Sequence, residues 1–349
     1  MTARDEALVS AFGMPGFLVP WADRFLEPLE SRLVEALAAG PLPAAELLAR
    51  VPGLTPGDLA RAHRRGIVDL EGDDQVDTVG AVVALAGFHA RFDIWAMFEG
   101  WKDIPTEVAE RLNDWELEHY AAGIAPAVMA LRDGRDRPGG DADLSYLLLD
   151  EAEALVCAAP RVYLWPCNCR AMFRRCRKLL DVCLRADNDR GLGWEISRER
   201  AVEILRETDR VGLMHTGYAG RAAGEAGAIC NCCTDCCFPH LAAERLGVAA
   251  VWPRRRYRAA VAAATCTLCG RCVKRCPFAA LSLGDAPTDV DAAEVVASAP
   301  DGPGAAAAGR RESLLFSAEL CRGCGLCATG CREGAIAMEP LAASAASAG

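Results

Sequence analysis

CTLCGRCVKRCP at residues 266–277 and CRGCGLCATGCR at residues 321–332 are two copies of one cysteine pattern, CxxCxxCxxxC. The copies stand at an offset of 55 residues (321 − 266), and the offset persists past the cysteines: Ala280-Leu281 recurs as Ala335-Ile336, and Leu283 as Met338. Three thiolates on one winding loop can reach three irons of one cubane, while the last cysteine of the run diverges toward a neighbouring cluster. The spacing therefore predicts two 4Fe-4S clusters with exchanged ligands. Cys266, Cys269, Cys272 and Cys331 would hold one, and Cys321, Cys324, Cys327 and Cys276 the other. Structural zinc sites favour paired CxxC knuckles with longer gaps, which this pattern lacks. The apolar residues after each loop predict a short strand in each half, and so a pseudo-twofold module.

Residues 257–340 resemble the bacterial two-cluster ferredoxins, and the resemblance implies their fold and their electron-carrying role for this segment. Pro277 follows Cys276 as in that family, whereas Arg332 stands where the second copy would carry proline. The connection between the copies is longer than a compact ferredoxin needs. Its stretch ASAPDGPGAAAAGR at residues 297–310 predicts a flexible insertion over 285–311, and the similar composition of 341–349 predicts a disordered tail.

With 349 residues, 52% of them hydrophobic and 25% charged, the chain has the material for two or three well-buried domains. Eighteen cysteines in a chain this large, opening on the acidic MTARDEA without a basic and then apolar leader, point to a reducing compartment, the cytoplasm. Apolar windows are interrupted, as by Asp150, Glu151 and Glu153 within 142–157, so no membrane span is expected. The net charge of −10 argues against nucleic acid as a partner and suits docking onto a basic patch of a redox partner protein.

Nine further cysteines fall between residues 161 and 240: Cys167 and Cys169 in CNCR, then Cys176 and Cys183, then Cys230, Cys232, Cys233, Cys236 and Cys237 in ICNCCTDCC. Thiols at this density need a soft metal or redox chemistry, since they would otherwise oxidise one another. Residues 161–165 read as a strand that delivers Cys167 and Cys169. The basic stretch 172–184 reads as a helix with Cys176 and Cys183 on one face, seven residues apart. A second helix is expected from the N-cap Ser197 to the neighbourhood of Gly212, and a glycine-rich loop over 217–227. Both cysteine segments can then converge on one site. A third 4Fe-4S cluster, a zinc or other mononuclear ion, and a thiol-disulfide or substrate site all remain open for it. His215 and His240 flank this region as further ligands or as hydrogen-bonded structural groups, and Cys157, on an apolar stretch, reads as a small buried hydrophobe. The order CxCR, two spaced cysteines, a helix ending GLMH, ICNCCxxCC and two ferredoxin motifs resembles the 4Fe-4S dicluster, ferredoxin-like proteins of anaerobic and sulfur-metabolising microbes. That resemblance, over residues 140–340, implies iron-sulfur electron transfer.

Helices over 31–39, 44–50 and 56–65, a strand over 66–70, an acidic turn and a strand over 76–79 outline a winged helix. Residues 31–80 carry five basic and eight acidic side chains, a net charge of −3, so a protein-docking or structural role fits better than DNA reading. Phe88, Phe92, Trp95, Phe98 and Trp101 form an aromatic stripe at helical spacing, as a buried helix face does. Arg254, Arg255, Arg256 and Arg258 read as a solvated basic face or a docking patch.

The fold class expected is therefore α+β and multidomain. A helical domain spans 1–135 with its winged-helix-like segment at 31–80, a cysteine-rich α/β metal-binding domain spans 140–255, and a two-cluster ferredoxin-like domain spans 256–340. The leading function is an electron-transfer protein or subunit of an oxidoreductase system. The alternatives are a reductase whose central cysteine site is catalytic, and a redox-sensing winged-helix regulator. No Walker loop and no GxGxxG after a strand is present, which gives no support to an intrinsic flavin or nicotinamide site.

Overall fold

Helix starts in the N-terminal part follow local hydrogen-bonding groups. The computed structural model describes residues 2–71, 80–101, 103–135, 140–218, 227–285, 294–298 and 312–341. It begins with α1 (Ala3–Glu6), α2 (Pro28–Leu37), α3 (Ala44–Arg50) and α4 (Pro56–Arg64). Thr55 Oγ1 accepts from Asp58 N at 3.2 Å while the Asp58 carboxylate takes the Thr55 N–H at 3.0 Å, a reciprocal cap that starts α4. The strands β1 (Leu42–Pro43), β2 (Val68–Glu71) and β3 (Val82–Leu85) form an antiparallel sheet in the order β1-β3-β2. The strand expected over 76–79 lies outside the described residues, and the observed partner of β2 is β3. On α5 (Phe88–Phe98) the aromatic stripe is core packing: Phe88, Phe92 and Trp95 close around Phe25 with ring centroids 5.3, 6.5 and 4.5 Å away. The helix α6 (Thr106–Arg132) follows.

Two compact units divide the chain: Met1–His119 with Pro166–Arg174 and Asn188–Gly193, and Tyr120–Trp165 with Arg175–Asp187 and Trp194–Gly349. The second unit takes α6 from Tyr120 onward and continues with β4 (Leu144–Leu147), α7 (Leu149–Ala158) and β5 (Val162–Pro166), the last residue of which falls in the first unit. After α8 (Asn168–Phe173), which belongs to the first unit, come β6 (Asp181–Arg185), β7 (Trp194–Ile196), α9 (Arg198–Arg210), β8 (Met214–Tyr218), β9 (Ala228–Cys232) and α10 (Phe238–Arg245). Six strands make one sheet in the order β4-β8-β9-β6-β5-β7, and α7 and α9 bury Ala152, Val156, Ala201, Ile204 and Leu205 against Leu147, Leu184 and Ile229. Ser197 caps α9 as its sequence predicts, its hydroxyl accepting from Arg200 N at 3.1 Å.

Two local expectations are corrected here. Residues 172–184 are not one helix: α8 ends at Arg174 in the left-handed region (φ 51°), and 181–185 is β6. Burial there alternates, with Val182 and Leu184 inward, and Leu184 pairs with Ile229 of β9. Period two on a central strand overrides the helical spacing of Cys176 and Cys183. Cys157 is exposed rather than buried, because α7 turns Ala152 and Val156 toward the core and leaves its neighbour outside.

The C-terminal part is two interlocked halves. β10 (Tyr257–Val261) precedes the first cysteine loop, and α11 (Arg271–Arg275) and β11 (Leu281–Asp285) follow it. β12 (Glu294–Ser298) comes next. β13 (Glu312–Phe316), α12 (Leu326–Thr329) and β14 (Ile336–Pro340) repeat β10, α11 and β11 at the offset of 55 (312 − 257, 336 − 281). The strand before each loop pairs with the strand after the other loop, β10 with β14 and β13 with β11, so each half completes the other's ladder. Of the insertion expected to be flexible, 294–298 is instead β12, paired with β13; 286–293 and 299–311 lie outside the described residues, as do the tail residues 342–349 and the loop residues 219–226. Among the described residues no helix is long and apolar enough to cross a membrane.

Candidate metal centres

Backbone conformation in the two cysteine loops repeats as closely as the sequence does. Leu268 and Gly323 (φ 54° and 69°), Gly270 and Gly325 (68° and 81°), and Ala279 and Gly334 (53° and 63°) are three left-handed pairs at the same offset. In each half an amide also points at the last cysteine's sulfur: Ala280 N to Cys276 Sγ and Ala335 N to Cys331 Sγ, both at 3.3 Å. Such N–H donors stabilise thiolate sulfur.

The loops surround two cavities. Cys266, Cys269, Cys272 and Cys331 line one, with Leu268, Leu314 and Ile336; Cys276, Cys321, Cys324 and Cys327 line the other, with Phe278, Leu281 and Phe316. Each cavity takes three cysteines from one loop and the last cysteine of the other. Burial pushes the Cys324 thiol up to about 12 and raises Cys327 and Cys272 as well, whereas exposed Cys269 is lowered, first by the Arg271 amide. Buried thiols of this kind give up their protons to a bound metal, so loading releases protons. Four soft donors around an apolar cavity, with amides aimed at sulfur, fit a 4Fe-4S cubane.

The central cysteines sort into groups. Cys176, Cys233 and Cys236 bring their sulfurs within 4.8 Å of one another, with Cys176 Sγ 3.9 Å from Cys233 Sγ and 3.7 Å from Cys236 Sγ. Contact with Cys233, and then burial, raises the Cys236 thiol. Cys232 lies against Cys230 and Cys237 and is raised first by the Cys230 thiol, while Thr216 Oγ1 stands 3.4 Å from its sulfur. Cys183 is half-buried on β6. Cys167, the N-cap of α8, and Cys169, whose thiol donates to Asn168 Oδ1 at 3.5 Å, belong to the first unit.

An apolar bridge, which sequence reading missed, joins the Cys232 group to the second cavity. Tyr146, Met214, Cys232, Cys237 and Leu326 form one buried cluster, with Cys230, Phe278 and Cys324 packed on it. The Tyr146 phenol is raised by burial first and then by the charges of Cys237, Cys324 and Cys232, which places it among thiols of both groups. Two polar anchors secure the junction. Arg275 donates to Asp209 Oδ2 at 3.0 Å and to Leu326 O at 2.7 Å, and Glu151 accepts from Arg256 Nη1 at 2.9 Å and from Tyr257 Oη at 2.8 Å.

His215 makes a buried hydrogen bond through one ring nitrogen. Buried on β8, it meets Asn231 Oδ1 through Nδ1 at 2.7 Å, and Asn231 is held in turn by Thr208 and by Val182 O. His240 sits on α10 with its ring centroid 5.8 Å from that of Phe278. Burial lowers the His215 pKa. Above about pH 6.5 the ring is neutral whether the chain is folded or not; below it the unfolded chain takes up a proton that the folded chain refuses, so stability falls by about 1.4 kcal/mol per pH unit until the folded pKa is reached. Urea midpoints between pH 7.5 and 5 are expected to fall more steeply for the wild type than for His215→Gln; equal slopes would show that another group carries the acid sensitivity.

Residues 265–336 match the family described as 4Fe-4S dicluster domain. Neither the curated proteins nor the solved structures returned a match to the chain. The crossed loops, the two four-cysteine cavities and this family match agree, and the C-terminal part of the chain, residues 265–336, is a 4Fe-4S ferredoxin module.

Proposed function

We propose that the protein is an electron-transfer protein or subunit that carries single electrons through two C-terminal 4Fe-4S clusters and a further metal centre held by the central cysteines. Cys266, Cys269, Cys272 and Cys331 ligate the first cluster, and Cys321, Cys324, Cys327 and Cys276 the second. The observation that carries this reading is the apolar bridge from Cys324 through Leu326, Phe278 and Tyr146 to Cys232 and Cys237. It keeps water out between two groups of thiols and gives electrons a short packed route inside one unit. Cys176, Cys233 and Cys236 are the leading ligands of the further centre. In the first unit, α2, α3 and α4 with β1, β2 and β3 read as a winged-helix-like module that docks a redox partner protein rather than nucleic acid, because the sequence of residues 31–80 carries a net charge of −3.

A second reading rests on the three-thiol geometry of Cys176, Cys233 and Cys236. Three protein ligands leave a coordination position open to substrate, as catalytic metal sites do, and the protein would then be a reductase fed by its ferredoxin module.

Chain purified without oxygen is expected to contain about twelve irons with matching acid-labile sulfide, or about eight irons with one additional metal ion. About eight irons and no other metal would remove the further centre and leave the central cysteines to thiol chemistry. On the same sample, perturbation of the third centre's electron paramagnetic resonance by an added thiol would favour the reductase reading, and an unchanged spectrum the pure carrier.

A further inference from the structure

Far from the cysteines in sequence, helices α5 and α6 place nitrogen and oxygen donors together. His89 and Asp93 are four residues apart on α5, and Glu116 and His119 three apart on α6, so each pair shares a helix face. His89 Nδ1 meets Glu116 Oε1 as an ion pair, His89 Nε2 lies 4.0 Å from Asp93 Oδ2, and ligand atoms of His89, Asp93 and Glu116 all fall within 4.8 Å of one another. The His119 ring packs 5.2 Å from that of His89 and stacks on Trp115 at 5.3 Å.

Glu116 decides what this cluster is for. Its side chain is 0% exposed, and its Oε2 is buried with no hydrogen-bond partner; one turn earlier on α6, Asn113 Oδ1 is in the same condition. A carboxylate buried in this way costs several kcal/mol unless it takes up a proton or a cation neutralises it. His89 and Asp93 keep 37% and 25% of their side chains exposed, which gives an ion a way in.

We infer that His89, Asp93 and Glu116 form a binding site for one divalent first-row metal ion, with the His119 ring beside it. The donors are imidazole and carboxylate without sulfur, a set that suits manganese(II), iron(II) or zinc(II) and not the soft chemistry of the thiol centres. Two carboxylates neutralise the dication and the imidazole supplies the nitrogen ligand.

Manganese(II) is the probe of choice, because thiolates compete poorly for it. The full chain, treated with chelator under conditions that preserve its iron and sulfide, is titrated while the six-line resonance of free manganese(II) is recorded. About one ion per chain is expected to bind, and affinity should fall at least about tenfold in Glu116→Gln, His89→Gln and Asp93→Asn, with iron and sulfide content unchanged. His89→Gln and Asp93→Asn alter partly exposed groups, so they report the site even where Glu116→Gln fails to fold. Absence of binding by the wild type, or equal binding by His89→Gln and Asp93→Asn, would overturn the assignment and leave a protonated His89 as the neutralising charge.

Discussion

Removing Cys266 and Cys331 together is expected to empty one cluster cavity and leave the other loaded, whereas removing Cys321 and Cys331, which belong to the same loop, is expected to strip both. The reasoning rests on the crossed lining: Cys331 closes the cavity of the first loop and Cys276 that of the second. The double variant Cys266→Ala/Cys331→Ala thus takes two of four ligands from a single cubane, and about half of the module's iron should go with it. Cys321→Ala/Cys331→Ala takes one ligand from each, and with the two halves joined through β10–β14 and β13–β11 the loss spreads to nearly all of the module's iron. Iron and acid-labile sulfide per chain distinguish the two patterns. If the same-loop variant kept half its iron and the cross-loop variant lost all, each loop would build its own cluster and the exchange would be wrong.

Legibility from sequence varied with the distance over which the determining contacts act. The offset of 55 between Cys266 and Cys321 carried through to strands, helices, left-handed residues and sulfur-directed amides, because each is set within a few residues of the motif. The start of α9 was equally local, written in Ser197. Cys176 and Cys183 misled, since a seven-residue spacing on a basic stretch implies a helix, while the pairing of Leu184 with Ile229, 45 residues later (229 − 184), makes 181–185 a strand. The apolar residues of β12 were hidden in a segment whose composition reads as linker, and only β13 gives them a partner. The bridge through Tyr146, Phe278 and Leu326 joins three distant segments and leaves no periodic trace. Glu116 illustrates the same limit on a helix: a Glu-x-x-His step resembles a solvated face until burial is known.

Alanine at Gly323 is expected to be severely damaging, although it adds one methyl group. Gly323 holds φ +69°, where an L side chain costs about 1–2 kcal/mol by itself. A Cβ there would lie 2.2 Å from Tyr257 O and 2.9 Å from its carbonyl carbon, and these are backbone atoms that no rotamer can move. Tyr257 begins β10, is paired with Pro340 of β14 and is tied by its hydroxyl to Glu151, so relief of the clash must displace the strand that joins the two halves. A loss of about 4 kcal/mol or more is expected, in the range reserved for clashes in a packed interior, with a matching loss of iron from the second cavity. Two neighbours separate the clash from the backbone cost. Leu268, the counterpart of Gly323 in the first loop, carries a full side chain at φ 54°, so the conformation alone is tolerated. Gly334, at φ +63° with nothing within 4 Å of a Cβ, should lose only about 1–2 kcal/mol on substitution by alanine. Urea unfolding and iron content of Gly323→Ala and Gly334→Ala, measured side by side, check the separation: equal effects would mean that β10 moves freely and does not lock the second loop in place.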